Sequence, residues 1–158
     1  MREKKTKGGR IMKSEKESSG QSLFDQLGGR PTIERVHKIF YDKVYGDPWL
    51  KLFFSHIAQE AIEVQQTDFM SQAFGGPQKY CGALPIPAHK HMNISEELFL
   101  HRHALLEASL AQAGLAGPLV AKWLRIDSAF RNGLVKSSVD ACQKRYINDL
   151  ILDFPRPR

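Results

Sequence analysis

Wherever this chain has a hydrophobic pattern, its period is three to four residues, and glycine or proline interrupts it at short intervals. Ile33, Val36, Phe40 and Val44 make one stripe, and Ile62, Gln66, Phe69 or Met70 and Ala73 a second. Leu119, Trp123, Ile126, Phe130 and Leu134 make a third. Such spacing gathers side chains on one face of an α-helix, whereas a half-buried strand requires strict alternation. No alternating stretch competes with it. The expected fold class is all-α.

The breaks place the helices. Ser22 is a cap for a short helix that Gly28-Gly29 stop, and Pro31 stands where a first-turn proline is tolerated. Gly46-Asp47-Pro48 ends the next helix, and Gly75-Gly76-Pro77 ends the one after, over residues 58–74. Ser95 with Glu96 and Glu97 opens a helix that runs to about Ala113 and stops at Gly114. A last helix starts near Pro118 and is expected to persist or restart through Tyr146, Ile147, Leu150 and Ile151. With 158 residues, one core of useful size can be buried and not two. The expected organisation is a tail over 1–20, a domain over 21–137 and a helical extension over 138–158.

Charge narrows the classes of partner. The net charge of +6 is unevenly placed, because residues 1–20 hold seven Lys/Arg against three Glu and leave only +2 to the rest. That segment has one Ile and two Met as its sizeable apolar side chains, too little to offset its ordering entropy, so it reads as disordered. A nucleic-acid binder needs basic residues clustered on a folded face, which +2 does not provide. No run approaches the roughly twenty apolar residues of a membrane span. Two cysteines, Cys81 and Cys142, are too few for a disulfide framework, and a cytoplasmic location is expected.

One stretch departs from the helical pattern. Between Gln78 and Asn93 lie Gly82, Pro85 and Pro87, leaving at most a short turn near Ala88–His91. Loops of that length are usually functional or disordered. This one carries His89-Lys90-His91-Met92, and a histidine on a short turn opposite an apolar helix face suits axial iron ligation by neutral imidazole. A solvent-exposed loop histidine is the alternative. Tyr41 is a phenol beside the apolar face of Val36, Phe40 and Val44, and a buried hydroxyl needs a partner. Gln66 is likewise a polar group on an apolar stripe, either a second donor to the same partner or the partner of Tyr41 itself.

Residues from about 22 to 135 resemble the truncated (two-on-two) haemoglobins. The features that carry the resemblance are Phe24-Asp25-Gln26-Leu27-Gly28-Gly29, Phe40-Tyr41 with Val44, and Leu52-Phe53-Phe54. Gly75-Gly76-Pro77 with Tyr80 follows, and then His89 with Ile94 five residues on. The resemblance implies a truncated globin-like two-over-two helical sandwich around haem b (iron protoporphyrin IX). It implies His89 as the iron ligand and Tyr41 and Gln66 as distal residues that stabilise the ligand. It further implies a haem pocket taking in Phe54, Ile62, Tyr80, Lys90, Met92, Ile94 and Phe99. His91 is expected to be exposed near the haem propionates, with ligation as its fallback role, and Phe53 to be core.

There are two departures from the family. One is a long C-terminal extension past about Val135, expected to cap the bottom of the fold or form a subunit contact; the other is an arginine on the helix after His89. The position matching Arg102 is usually apolar or tryptophan there and lines the distal pocket. A buried arginine is costly unless paired. The helix is therefore expected to turn so that Phe99, Leu105 and Leu106 face the haem; otherwise Arg102 and a neighbouring histidine enter the site. His101 and His103, two residues apart, do not share a helix face and are not expected to form a metal site. The expected function is reversible binding of oxygen, nitric oxide or carbon monoxide, as in oxygen transport. Nitric oxide dioxygenase or peroxidase-like turnover, which needs an electron donor, is a further expectation. The alternative is a gas or redox sensor acting through the tail or the extension.

Overall fold

Capping residues and glycines, more than composition, set where each helix begins and ends. The structure, a computed structural model, describes residues 20–158, so nearly all of the expected N-terminal tail lies outside it. The elements are α1 (Leu23–Gln26), α2 (Arg30–Gly46), a 3₁₀ turn (Leu50–Phe54), α3 (Gln59–Ala73) and α4 (Pro85–His89). After these come α5 (Glu96–Gln112), α6 (Gly117–Ala129), α7 (Arg131–Leu134) and a second 3₁₀ turn (Val139–Ala141). The Ser22 and Ser95 hydroxyls accept hydrogen bonds from the Asp25 and Leu98 N–H groups, as expected of N-caps. Asp47 plays the same part for the first 3₁₀ turn, taking the N–H groups of Trp49 and Leu50 at 3.0 and 2.8 Å.

The two glycine pairs end helices in the same way. Gly75 adopts φ +88°, a left-handed conformation, and the N–H groups of Gly75 and Gly76 return to the Gln72 and Ser71 carbonyls. Gly28 (φ +91°) and Gly29 close α1 alike, onto Asp25 and Phe24. The two ends are then joined, because Phe24 N–H donates to the Phe74 carbonyl and the Phe24 ring lies against Gly76.

Helix α2 crosses both α3 and α5, and α5 packs on α6, giving the two-over-two arrangement. The buried face of α2 is Ile33, Val36, His37, Phe40, Tyr41 and Val44, which adds His37 and Tyr41 to the stripe read from the sequence. Leu98, Phe99, Leu106 and Leu110 of α5 and Trp123 of α6 complete the centre of the core. Each fully buried aliphatic side chain of this kind contributes about 1.5–3 kcal/mol.

The extension over 138–158 is not helical. Apart from Val139–Ala141 it is irregular, and it meets the rest of the chain through an isolated parallel bridge between Met92 and Leu152. Its backbone donors are taken by tertiary acceptors: Gln143 N–H by the Lys90 carbonyl and Leu152 N–H by the His91 carbonyl. The Asp149 carboxylate takes the Arg145 and Leu150 N–H groups and the Arg145 guanidinium, closing a loop where a helical turn was expected. Among the described residues, no helix is long and apolar enough to cross a membrane.

Candidate functional site

Tyr41 is held on the inner face of α2 with 5% of its surface exposed. Its ring meets Phe40 and Phe54 edge-on, at 5.0 and 6.1 Å between centroids. Burial pushes the phenol pKa far above its ordinary value, against the opposing charge of Arg102. The hydroxyl keeps its proton at any ordinary pH. None of the described residues forms a hydrogen bond with it, and 5% of the residue's surface stays open.

His89 is the last residue of α4, whose Pro85 and Pro87 restrict the backbone leading to it. Its Nδ1 lies 2.7 Å from the Pro85 carbonyl oxygen one turn earlier. A carbonyl only accepts, so Nδ1 carries the hydrogen and Nε2 presents a bare lone pair. Burial holds the imidazole below its usual pKa, with Arg102, His91 and Lys136 adding to the effect of burial and the Pro85 hydrogen bond opposing it. A neutral imidazole with one nitrogen anchored and the other free is the form that ligates a metal.

The other expected residues divide. Ile62, Ile94 and Phe99 are buried in the core, and Phe54 and Met92 are half-buried against it. Tyr80 is half-buried, with its ring edge on Phe69 at 5.1 Å and its hydroxyl on the Ala83 carbonyl. Lys90 is half-buried; only its backbone is fixed, through its carbonyl. Gln66 is half-buried and makes no hydrogen bond to Tyr41. Phe53 is core, as expected, with Phe154 against it. A shallow apolar concavity behind Phe54, lined by Tyr45, Leu52, Ile57 and Phe154, takes in neither His89 nor Tyr41.

Two expectations are corrected. His91 is not an exposed residue: it is 6% exposed and its Nδ1 has no hydrogen-bond partner, because the C-terminal segment covers it. Nor does α5 turn Arg102 away. Arg102 lies three residues from Phe99 and four from Leu106, on the same inward stripe, and its Nη1 donates to both Asp127 oxygens at 2.9 and 3.0 Å. The carboxylate that makes this burial tolerable is supplied by α6. His103 also reaches Asp127, at 2.9 Å, while His101 goes to Asp47 at 2.7 Å. The two histidines thus serve separate carboxylates, and the described residues contain no cluster of metal-ligand type.

Sequence reasoning missed His37 and Asp127. His37, one turn before Tyr41, is 4% exposed, bonded to the Thr67 hydroxyl at 2.8 Å and set edge-on to Trp123. Its signal was the four-residue interval from Tyr41. Asp127 had one too, as a lone acid on the stripe of Trp123, Ile126 and Phe130.

The sequence model of the bacterial-like globins matches residues 22–122, more than half of the chain. The chain belongs to that family. Among its relatives, a group 1 truncated haemoglobin of Tetrahymena pyriformis is 33% identical over 103 residues, 63% of this chain and 83% of the relative. One of Synechocystis is 30% identical over 105 residues, covering 64% and 85%. The crystal structure of the Tetrahymena pyriformis protein in its Fe(III) form superposes with a TM-score of 0.68 at 28% identity, over 74% of this chain and all of that one. Truncated haemoglobins bind haem and small diatomic ligands, and the cofactor of this globin is haem b. Its residues fit that group, since a half-buried neutral imidazole with a free Nε2 and a protonated phenol on the inner face of α2 are donors that haem and a small polar ligand can use.

Proposed function

We propose that this globin reversibly binds oxygen or another small diatomic ligand, with His89 as the axial ligand and Tyr41 and Gln66 as hydrogen-bond donors. The observation that carries this reading is the His89 ring, half-buried and fixed through Nδ1 to Pro85 with Nε2 unpartnered. Haem, when bound, would supply an iron able to take up a small ligand and to change oxidation state. The chain does the rest. The Pro85 carbonyl orients the imidazole and makes Nε2 more basic. Tyr41, kept protonated by burial, offers a hydrogen bond worth roughly 1–3 kcal/mol to a ligand with partial negative charge. The side-chain amide of Gln66 is the second donor. Phe54, Ile62 and Phe99 exclude water from this space.

Variants of the Tetrahymena pyriformis protein support the distal assignment. Crystal structures exist in which a tyrosine is replaced by phenylalanine and each of two glutamines by glutamate. The glutamines follow that tyrosine by 21 and 25 residues. Ile62 and Gln66 follow Tyr41 at the same intervals, so this chain has one amide where the relative has two. Nitric oxide dioxygenation or peroxide turnover extends the reading and requires an electron donor.

The test is the absorbance spectrum of protein purified with haem, in oxidised, reduced and carbon monoxide forms. A Soret band that shifts with carbon monoxide is expected for the wild type, with axial ligation lost in His89→Ala. A wild type without the band, or a His89→Ala spectrum identical to it, overturns the reading. Consumption of nitric oxide by the oxygenated, re-reducible protein tests the redox extension; no consumption above that of free haem removes it.

A further inference from the structure

The segment after α7 makes contacts that gas binding does not account for. Lys136 places its ammonium on three carbonyl oxygens, those of Met92 at 2.7 Å, His89 at 3.1 Å and Leu134 at 3.3 Å. Its own N–H donates to the Ile94 carbonyl at 2.8 Å. Further along, Gln143 N–H donates to the Lys90 carbonyl at 2.8 Å and Leu152 N–H to the His91 carbonyl at 2.9 Å. The Leu152 carbonyl accepts from Asn93 N–H at 2.8 Å. Every residue from His89 to Ile94 is thus bonded through its backbone to residues between 136 and 152.

The far end of the segment is anchored on other elements. Trp49 Nε1 donates to the Phe154 carbonyl at 2.8 Å, and the Phe154 ring packs edge-on against Phe53 at 5.1 Å. Asn93 Nδ2 donates to Asp153 at 2.9 Å, and Arg156 reaches Glu97 at 2.6 Å. The segment itself lies beyond residues 22–122, which match the family.

Helix α4 has five residues, little more than one turn. A helix that short is unstable alone, and its last carbonyls have no partner within it. What holds those carbonyls decides where His89 sits. We propose that residues 136–154 form a strap that sets the position of the His89 imidazole, with Lys136 as its positioning residue. The proposal rests on the reading of His89 as the axial ligand. Lys136 binds the carbonyls of His89 and Met92 together, so the turn cannot open without breaking charge-assisted hydrogen bonds. The Leu152 bridge prevents the same turn from sliding.

The test uses the full chain and three variants: Lys136→Met, which keeps the stem and removes the donors, Lys136→Arg, which restores them, and Phe154→Ala, which frees the far end only. In Lys136→Met, haem transfer to apomyoglobin is expected to be at least tenfold faster than in wild type. The iron–histidine stretching band in the resonance Raman spectrum should shift, and hydrogen exchange at the amides of residues 90–94 should accelerate in the haem-free protein. Lys136→Arg should restore the wild-type band, and Phe154→Ala should speed haem loss to a smaller degree. Haem loss within twofold of wild type in both Lys136→Met and Phe154→Ala, with an unmoved band, overturns the proposal. So does a lower melting temperature with band and haem loss unchanged, which marks a purely structural role. If Lys136→Met fails to fold, Phe154→Ala decides by the same criteria. A wild type with no Soret band defeats the axial-ligand reading instead, while the exchange measurement still reports on the strap.

Discussion

Tyr41 and Arg102 show two ways in which a polar side chain survives in this interior. Tyr41 is hydrogen-bonded by none of the described residues, and in the proposed function its hydroxyl serves the bound ligand. Tyr41→Phe removes only that hydroxyl, so oxygen dissociation measured by stopped flow should quicken by about 5- to 100-fold, the equivalent of roughly 1–3 kcal/mol. An unaltered rate would show that the hydroxyl does not reach the ligand. Arg102 is instead paired by Asp127. Desolvation works against the Asp127 charge, but Arg102 and then His103 outweigh it and hold the carboxyl below its usual pKa. Asp127→Asn strands a guanidinium on an inward stripe. Because 34% of the Arg102 side chain is open, the cost should be about 2 kcal/mol, less than for a fully enclosed pair. Urea unfolding measures it, and the double variant Arg102→Leu with Asp127→Leu should recover most of the loss.

Among the elements, caps were the legible feature. Ser22, Ser95 and both glycine pairs announced helix ends because local backbone chemistry fixes them without reference to the rest of the chain. The second pair also takes part in packing. A Cβ on Gly76 would lie 2.6 Å from the Phe24 ring and 2.8 Å from the Ser71 carbonyl oxygen, which is backbone and cannot swing aside. Gly76→Ala should therefore cost about 1–3 kcal/mol. Thermal unfolding checks it, and a melting temperature at the wild-type value would show that α1 and the end of α3 separate freely. The segment past Val135 was the opposite case. Its apolar residues invited a helix, yet Tyr146, Ile147 and Leu150 are exposed and backbone donors serve Lys90, His91 and Ile94, just after α4, and Asp149. Nothing local announces that its hydrogen-bond partners lie some fifty residues earlier.

At the scale of the whole molecule, the buried histidines make stability depend on pH. Burial holds His37 neutral in the folded protein, its pKa lowered to about 3, and the charge of Arg102 adds to this. The unfolded chain takes up that proton near its ordinary value of about 6.5. As pH falls from about 6.5 toward 3, the unfolded state binds the extra proton and stability declines, by at most about 1.4 kcal/mol per pH unit for this group. Below about 4, Asp127 acts in the same direction, because its carboxyl is depressed in the fold and protonates first when unfolded. Urea midpoints of the haem-free protein from pH 7 to 4 should trace this decline. His37→Gln should flatten it without abolishing it, since burial also lowers His89 and His91. A slope unchanged by that substitution would refute the role given to His37.

The sequence by itself determined the helical class, the helix ends marked by Ser22, Ser95 and the glycine pairs, and the identities of Tyr41, Gln66 and His89 as the polar groups to examine. These rest on short-range rules: a repeat of three to four residues, capping hydroxyls, left-handed glycines and the interval between motifs. It did not decide which polar groups would find protein partners. Arg102 meets Asp127 across 25 residues, His37 meets Thr67 across 30, and Lys136 meets His89 across 47. Such pairings follow from how the helices cross, and the free energy of a buried charge or donor depends on what the crossing places beside it. Tertiary structure alone therefore kept Arg102 facing inward, buried His91 and drew the C-terminal segment back over the turn that carries His89.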